Sequence, residues 1–268
     1  MSSEQTYEVY AVRYAHNAKR MRNENFVFPD AHDVPMPLDY FVWVIRNEER
    51  TFVVDTGFGE VASLKRGSPL LRSTTEGLAL LGIDAAEVED VILTHMHYDH
   101  AGGIGEFPKA TFHIQDSEMS YATGRCMCFE AMQRPFEVED VVAMVRKVYG
   151  GQAKFHDGDT ELAPGISIHK IGGHSAGLMC VRVRTKRGWV VLASDCAHFY
   201  ENIRERKPFV ICYDLGSMMT GFNTIELLAD SPDHIVPGHD PLVMDYYPAP
   251  SPDLEGAVVR LDVMPKVP

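Results

Sequence analysis

Cysteine is scarce and odd in number: Cys126, Cys128, Cys180, Cys196 and Cys212 are the five in 268 residues. So few thiols build no disulfide framework, and reduced cysteines in a cytoplasmic protein are the expectation. Long apolar runs are missing as well. The most apolar stretch, Trp189-Val190-Val191-Leu192-Ala193, falls far short of the roughly 20 residues that cross a bilayer. The opening MSSEQTYEVYAVRYAH holds no apolar segment of signal-peptide length, so neither export nor a membrane is expected. Basic charge is in deficit, with 25 Lys and Arg against 38 Asp and Glu and a net charge of −13. Without a basic run, a nucleic-acid backbone is a poor partner. No Ser/Gly-rich linker, low-complexity tract or single-sign charge block divides the chain, which reads as one domain over 1–268.

What is present is a mixture of two periodicities. With 45% apolar residues the chain can bury a large core. Short β-branched runs bounded by turn residues read as strands: 40–45, 51–54, 91–94, 111–114, 166–169, 180–183 and 189–192. Helical spacing marks Thr75 to Leu81, Val138 to Tyr149 and Gly221 to Leu228. Strands and helices are interspersed, which predicts the α/β (α+β) class. There is also an internal echo. In the first half FVVDTG ends a strand at Asp55 and VILTH ends another at His95; in the second, VVLASD ends at Asp195 and HIVPGH at His239. Two such halves packed face to face would gather four strand ends at one edge, where open sheets place their sites.

The sharpest signal is Thr94-His95-Met96-His97-Tyr98-Asp99-His100-Ala101-Gly102-Gly103. Three imidazoles and a carboxylate follow directly on a strand. In extended chain, residues i and i+2 face the same way, so His95 and His97 can aim at one metal. Asp99 and His100 come as the chain turns and can reach a second, adjacent position. Further donors stand at strand-to-loop junctions: His174 in IGGHSAG, Asp195 at the end of VVLASD, and His239 in VPGHD.

These landmarks together resemble the metallo-β-lactamase superfamily of hydrolases, here as Asp55 in VDTGFG, the cluster THMHYDH, His174 in GGHSAG, Asp195 in ASD and His239 in PGHD. The resemblance implies a four-layer αββα sandwich with a dinuclear metal centre at one edge. It assigns His95, His97 and His174 to one metal, Asp99, His100 and His239 to the other, and Asp195 as a carboxylate bridging both. Asp55 would orient an imidazole from behind. Asp99 is also counted among the catalytic residues.

Five imidazoles and two carboxylates suit two Zn²⁺, with Fe, Mn or Co as other ions such donors accept. Family members that run redox chemistry on di-iron resemble HxExDH, whereas His97 stands at the third position here, which favours hydrolysis. Two such ions can share a hydroxide whose pKa is lowered toward ~7. The short acidic segment after His239 lacks a glutathione-binding tail, and the net charge of −13 disfavours a nuclease. The likeness is to the N-acyl homoserine lactonase and 4-pyridoxolactonase group. It implies a small lactone or ester as substrate, with a thioester or cyclic-amide hydrolase of the same fold as the alternative. A non-catalytic metal-binding protein is the last reading; a homodimer is left open. A helical insert at about 118–150, with Met119, Tyr121, Met127, Phe129, Met132 and Phe136, and a segment from Phe26 to Phe41, with Phe28, Met36 and Leu38, are expected to line an apolar pocket. Lactonases of this group place a Tyr three residues beyond the bridging Asp. Here that position is His198, so either the role of polarising the carbonyl falls to His198, or it falls to Tyr200 from a shifted loop, or the substrate differs from that of the group.

Overall fold

The computed structural model describes residues 5–28 and 31–266. The two ends of the expected 1–268 domain, the first four residues of the opening stretch, and Pro29-Asp30 within the Phe26 to Phe41 segment lie outside the described residues.

Six strands in succession build a first sheet: β1 (Glu8–Asn17), β2 (Leu38–Arg46), β3 (Thr51–Val54), β4 (Asp90–Ile92), β5 (Thr111–Gln115) and β6 (Ala153–His156). A second sheet follows from β7 (Thr160–Ala163), β8 (Ile166–Lys170), β9 (Met179–Thr185), β10 (Gly188–Ser194) and β11 (Ile235–Pro237). Strand β12 (Val258–Arg260) then returns to the edge of the first sheet beside β1, giving the orders β12-β1-β2-β3-β4-β5-β6 and β11-β10-β9-β8-β7. The helices are α1 (Glu60–Arg66), α2 (Thr74–Ala79), α3 (Tyr98–Ala101), α4 (Asp116–Ala122), α5 (Glu130–Gln133), α6 (Val138–Tyr149), α7 (Tyr200–Arg204), α8 (Leu215–Leu228) and α9 (Leu242–Tyr246). No described helix is long and apolar enough to cross a membrane.

Side-chain alternation explains the layering. On β1, Val9 and Ala11 face the second sheet, while Tyr10, Val12 and Tyr14 face the helices. Strand β2 is covered on both faces and is buried from Leu38 to Ile45, as a nearly unbroken apolar run requires. The core accordingly falls into three seams. Leu78 of α2 and Met144 of α6 pack on the outer face of the first sheet. Phe41, Trp43, Ile45 and Val54 meet Ile166, Ile168, Val181 and Val190 between the sheets. Met218, Phe222 and Ile225 of α8 cover Cys180, Val191 and Ala193 on the far side. Three seams between four layers make the expected αββα sandwich.

The internal echo has a topological counterpart. Strand β3 pairs with β4 in parallel and β10 with β11 in parallel, each pair flanked by an antiparallel neighbour, β2 or β9. The chain leaves β3, β4, β10 and β11 at the same edge of the molecule, and the site lies there.

Candidate metal centre

The HxHxDH segment changes conformation at the point where its donors must diverge. His95 leaves β4 in extended chain, His97 is the N-cap of α3, and Asp99 and His100 lie on that helix's first turn. His95, His97 and His174 gather with ring centroids 4.4 to 4.9 Å apart, and Nδ1 of His97 approaches Nε2 of His174 to 2.8 Å. His239 comes in on the other side, its Nε2 lying 3.6 Å from Asp99 Oδ2. Gly238 permits this approach, because a Cβ there would stand 2.7 Å from Ser194 O and 2.8 Å from Asp195 Oδ1.

Asp195 divides the cluster. Its Oδ1 lies 3.0 Å from His239 Nε2 and 3.2 Å from His100 Nε2. Its Oδ2 lies 3.1 Å from His174 Nε2, 2.9 Å from His198 Nε2 and 3.8 Å from His95 Nε2. All of these residues are buried. Burial is the largest influence on the Asp195 carboxyl and would raise it, yet the His239, His100, His198 and His174 imidazoles hold it well below its ordinary range. Burial, followed by neighbouring imidazoles, pushes His95 and His97 well below theirs, so both are neutral and offer lone pairs. Burial would also lower His100, but Asp195, Asp55 and Asp99 outweigh it and raise the imidazole well above its ordinary value. This half of the cluster therefore favours positive charge.

The donors pass a simple test for divalent cations. Nε2 of His95 and Nε2 of His97, on the two neutral rings, are buried without a hydrogen-bond partner, a costly state unless a cation takes the lone pairs. Candidate ligand sets with atoms within 4.8 Å of one another are His95-His97-His174, His95-His100-Asp195, Asp99-His100-His239 and His174-Asp195-His198. Imidazole and carboxylate donors in this density suit Zn²⁺ and its neighbours.

Behind the donors, hydrogen bonds fix each ring. The Asp55 carboxylate lies 2.7 Å from His100 Nδ1 and accepts from the amide and hydroxyl of Thr94. Thr94 Oγ1 also reaches His95 Nδ1 at 3.1 Å and Ser194 Oγ at 2.9 Å. The Nδ1–H of His174 donates to Ile211 O and that of His239 to Asp39 O. Asp55 and Ser194 both adopt left-handed backbone, φ 63° and 46°, at the ends of β3 and β10. Strain of that kind persists where the surroundings enforce it. Thr56 accepts Gly103 N on its hydroxyl and donates to His100 O, and a Cβ at Gly103 would stand 2.3 Å from Thr56 O.

One contributor carries no signal in the sequence. Glu118, on α4, is fully buried and accepts hydrogen bonds from Met96 N at 2.9 Å, Gly177 N at 2.8 Å and Ser175 Oγ at 2.8 Å. One carboxylate thus ties the His95–His97 loop to the His174 loop. A single acid on a helix looks like any other in a chain with 38 of them.

The two candidates after Asp195 separate. His198 lines the cavity over the cluster, stacked on Phe209 with centroids 3.9 Å apart, and burial pushes its imidazole down to about 3. Tyr200 packs instead into the seam between the sheets, its ring 5.3 Å from that of Tyr246, and does not line the cavity. The N-cap position of Phe199 turns the chain here, sending alternate side chains to opposite sides.

The cavity measures about 600 Å³. Its lining corrects the expectation of an apolar pocket. Leu38, Tyr121 and Met132 do line it, but Met119 is core, Met127 and Phe136 border a neighbouring groove, and Phe28 and Phe129 are exposed. Met36 packs on the first-sheet core. Arg20, Arg66 and Arg134 complete the wall.

The sequence profile of the metallo-beta-lactamase superfamily matches residues 36–239. An N-acyl homoserine lactonase from Bacillus cereus is 28% identical over 187 residues, spanning 64% of this chain and 69% of that protein. A solved N-acyl homoserine lactone hydrolase, with its product N-hexanoyl-L-homoserine at the catalytic metal centre, superposes with a TM-score of 0.72 at 21% identity, covering 90% of this chain and 96% of that one. AidC, a dizinc quorum-quenching lactonase, superposes with a TM-score of 0.65 at 19% identity, covering 87% and 86%.

Proposed function

The chain belongs to the metallo-beta-lactamase superfamily, and from that premise we propose that it is a zinc-dependent hydrolase that opens a lactone ring. The observation that carries the reading is the division of Asp195, one oxygen toward His100 and His239 and the other toward His174 and His95. A carboxylate so placed serves as a bridge. His95, His97 and His174 would hold one ion, and Asp99, His100 and His239 the other. Such ions, when bound, lower the pKa of water and polarise an oxygen. In the same reading the chain is one domain, with 118–150 as its helical insert.

The chain's own residues supply orientation and proton handling. Asp55, Thr94 and Glu118 fix the ligand loops. In hydrolysis the oxygen of water bonds to the carbonyl carbon, the ring C–O bond breaks, and the departing alkoxide must take a proton. Asp99 lines the cavity and is the carboxylate placed to pass it. Of the two candidates for steadying the carbonyl oxygen, His198 lines the cavity and Tyr200 does not, so the role goes to His198.

Relatives that are N-acyl homoserine lactonases support a lactone over other substrates. Purified protein with measured metal content should be assayed against lactones, including acyl homoserine lactones, and against thioesters, cyclic amides, β-lactams and phosphodiesters. Lactone turnover should exceed the rest. A kcat/KM for a thioester or phosphodiester well above that for every lactone would overturn this reading.

A further inference from the structure

The cavity over the metal centre is lined by unlike groups. Leu38, Met132, Pro135, Val210 and Ile211 are its apolar members. Its polar members include Arg20, Tyr40 and Ser68, the last two with hydroxyl oxygens 2.9 Å apart. Tyr40 in turn packs edge-on against His239 at 5.3 Å, which links this polar lining to the metal centre.

Arg20 has donor capacity to spare. Its Nε donates to Asn25 Oδ1 and its Nη2 to Glu24 O at 2.9 Å. Glu24 also lines the cavity, but its carboxylate accepts Met21 N at 2.7 Å and forms no ion pair with Arg20. Among the described residues no carboxylate pairs with Arg20. A guanidinium carries five N–H donors, so most of this one's capacity is unspent. Arg66 differs, since it is committed to Glu137 at 2.6 Å and lies over the Tyr98 ring. Arg134, exposed at the rim, also has no carboxylate partner among the described residues, although its carbonyl accepts from Arg66. In a chain of net charge −13, two cations without acidic partners facing one cavity are aimed at an anion from outside. The planar fork of Arg suits a carboxylate better than a point charge would.

We propose that Arg20, aided by Arg134 at the rim, binds a carboxylate carried by the substrate, which is therefore an anionic lactone with its apolar body against the apolar lining. This inference rests on the hydrolase reading above and deepens it. The test begins with binding, which needs no turnover. The zinc-loaded full chain is titrated calorimetrically with succinate, glutarate and adipate, and with butyrate, pentanoate and hexanoate. Both series offer one carboxylate to the metal centre; only the first offers another to Arg20. The best dicarboxylate should bind about tenfold or more tighter than its monocarboxylate counterpart. Arg20→Gln should bring the two series level, and Arg20→Lys should retain part of the preference. Equal binding of both series by the unaltered protein, or an equal weakening of both by Arg20→Gln, would overturn the proposal. Turnover then separates the two readings. A γ-butyrolactone bearing a side-chain carboxylate should exceed its neutral carboxamide by about tenfold in kcat/KM. If the dicarboxylate preference holds while neither lactone is opened, the lactonase reading fails and the anion site stands. If both lactones are opened equally well, the anion site fails and the lactonase reading stands.

Discussion

The Nε2 atom of His198 lies 2.9 Å from Oδ2 of Asp195, the oxygen that also faces His174. The imidazole is neutral, since burial holds it down to about 3, and its Nδ1 is buried without a partner. A neutral ring has one N–H, which Asp195 Oδ2 accepts here; with that carboxylate engaged by a cation, the N–H would be free to turn to an oxygen that gains charge in the cavity. His198→Ala is expected to lower kcat by about 10²–10³-fold with metal content near wild type, and His198→Tyr to recover part of the rate. Tyr200→Phe should leave kcat unchanged. Loss of metal from His198→Ala, measured by elemental analysis, would make His198 a ligand.

Asp195→Ala removes the shared carboxylate. Both metal equivalents should fall together, with activity more than about 100-fold down. Retention of two ions and full turnover would contradict the bridge.

Glu118→Gln keeps the shape but replaces one acceptor oxygen by an N–H₂ group facing donors. Chelator competition should show metal affinity reduced by about 10–100-fold. Denaturant titration should show a loss of about 1–3 kcal/mol, because a buried donor is left unpaired. An unchanged affinity would show that the two ligand loops hold their positions without it.

His156 on β6 sits 3.1 Å from His113 on β5, the rings stacked. Burial, helped by His113 and Lys154, lowers its imidazole to about 4 from the ordinary ~6.5. Between these values the unfolded chain binds the proton more readily, so stability falls as pH drops from about 6.5 to about 4. The full shift corresponds to about 3.4 kcal/mol, and solvent screening of the partly solvated ring brings the expected total to about 2 kcal/mol. His156→Gln should lose less stability than wild type across that window in urea titrations at pH 7.5, 6 and 5. Parallel curves for the two proteins would refute the assignment.

Much of the site was legible because its donors are local. His95, His97, Asp99 and His100 lie in one hexapeptide, and His174, Asp195 and His239 each end a strand beside a glycine or a turn. Residues that act by three-dimensional reach were not. Glu118 gives no periodic or compositional cue, and Asp39 reaches His239 through its backbone, its carbonyl accepting from the ring and its amide donating to His239 O. Arg20 lines the cavity only because the loop after β1 brings it there. Among the elements, β1 carries no strand pattern in the sequence although its Val9, Ala11 and Val12 are fully buried; burial on both faces erases the alternation that marks a half-exposed strand. Helix α8 begins at Leu215, ahead of the periodic stretch from Gly221, because Asp214 caps it through Ser217 N. Strands β6 and β7 are four residues each, too short to show a pattern.

The ligand loops issue from both sheets: His95 to His100 follow β4, while His174, Asp195 and His239 follow β8, β10 and β11. Ions held among them would fasten the open edge of the sandwich, where the apolar seam ends. Any species that binds the folded form alone adds to its stability by mass action. If ions are held so, the lifetime of this chain against proteases would depend in part on the supply of free metal around it, and scarcity would first idle the protein and then thin it out.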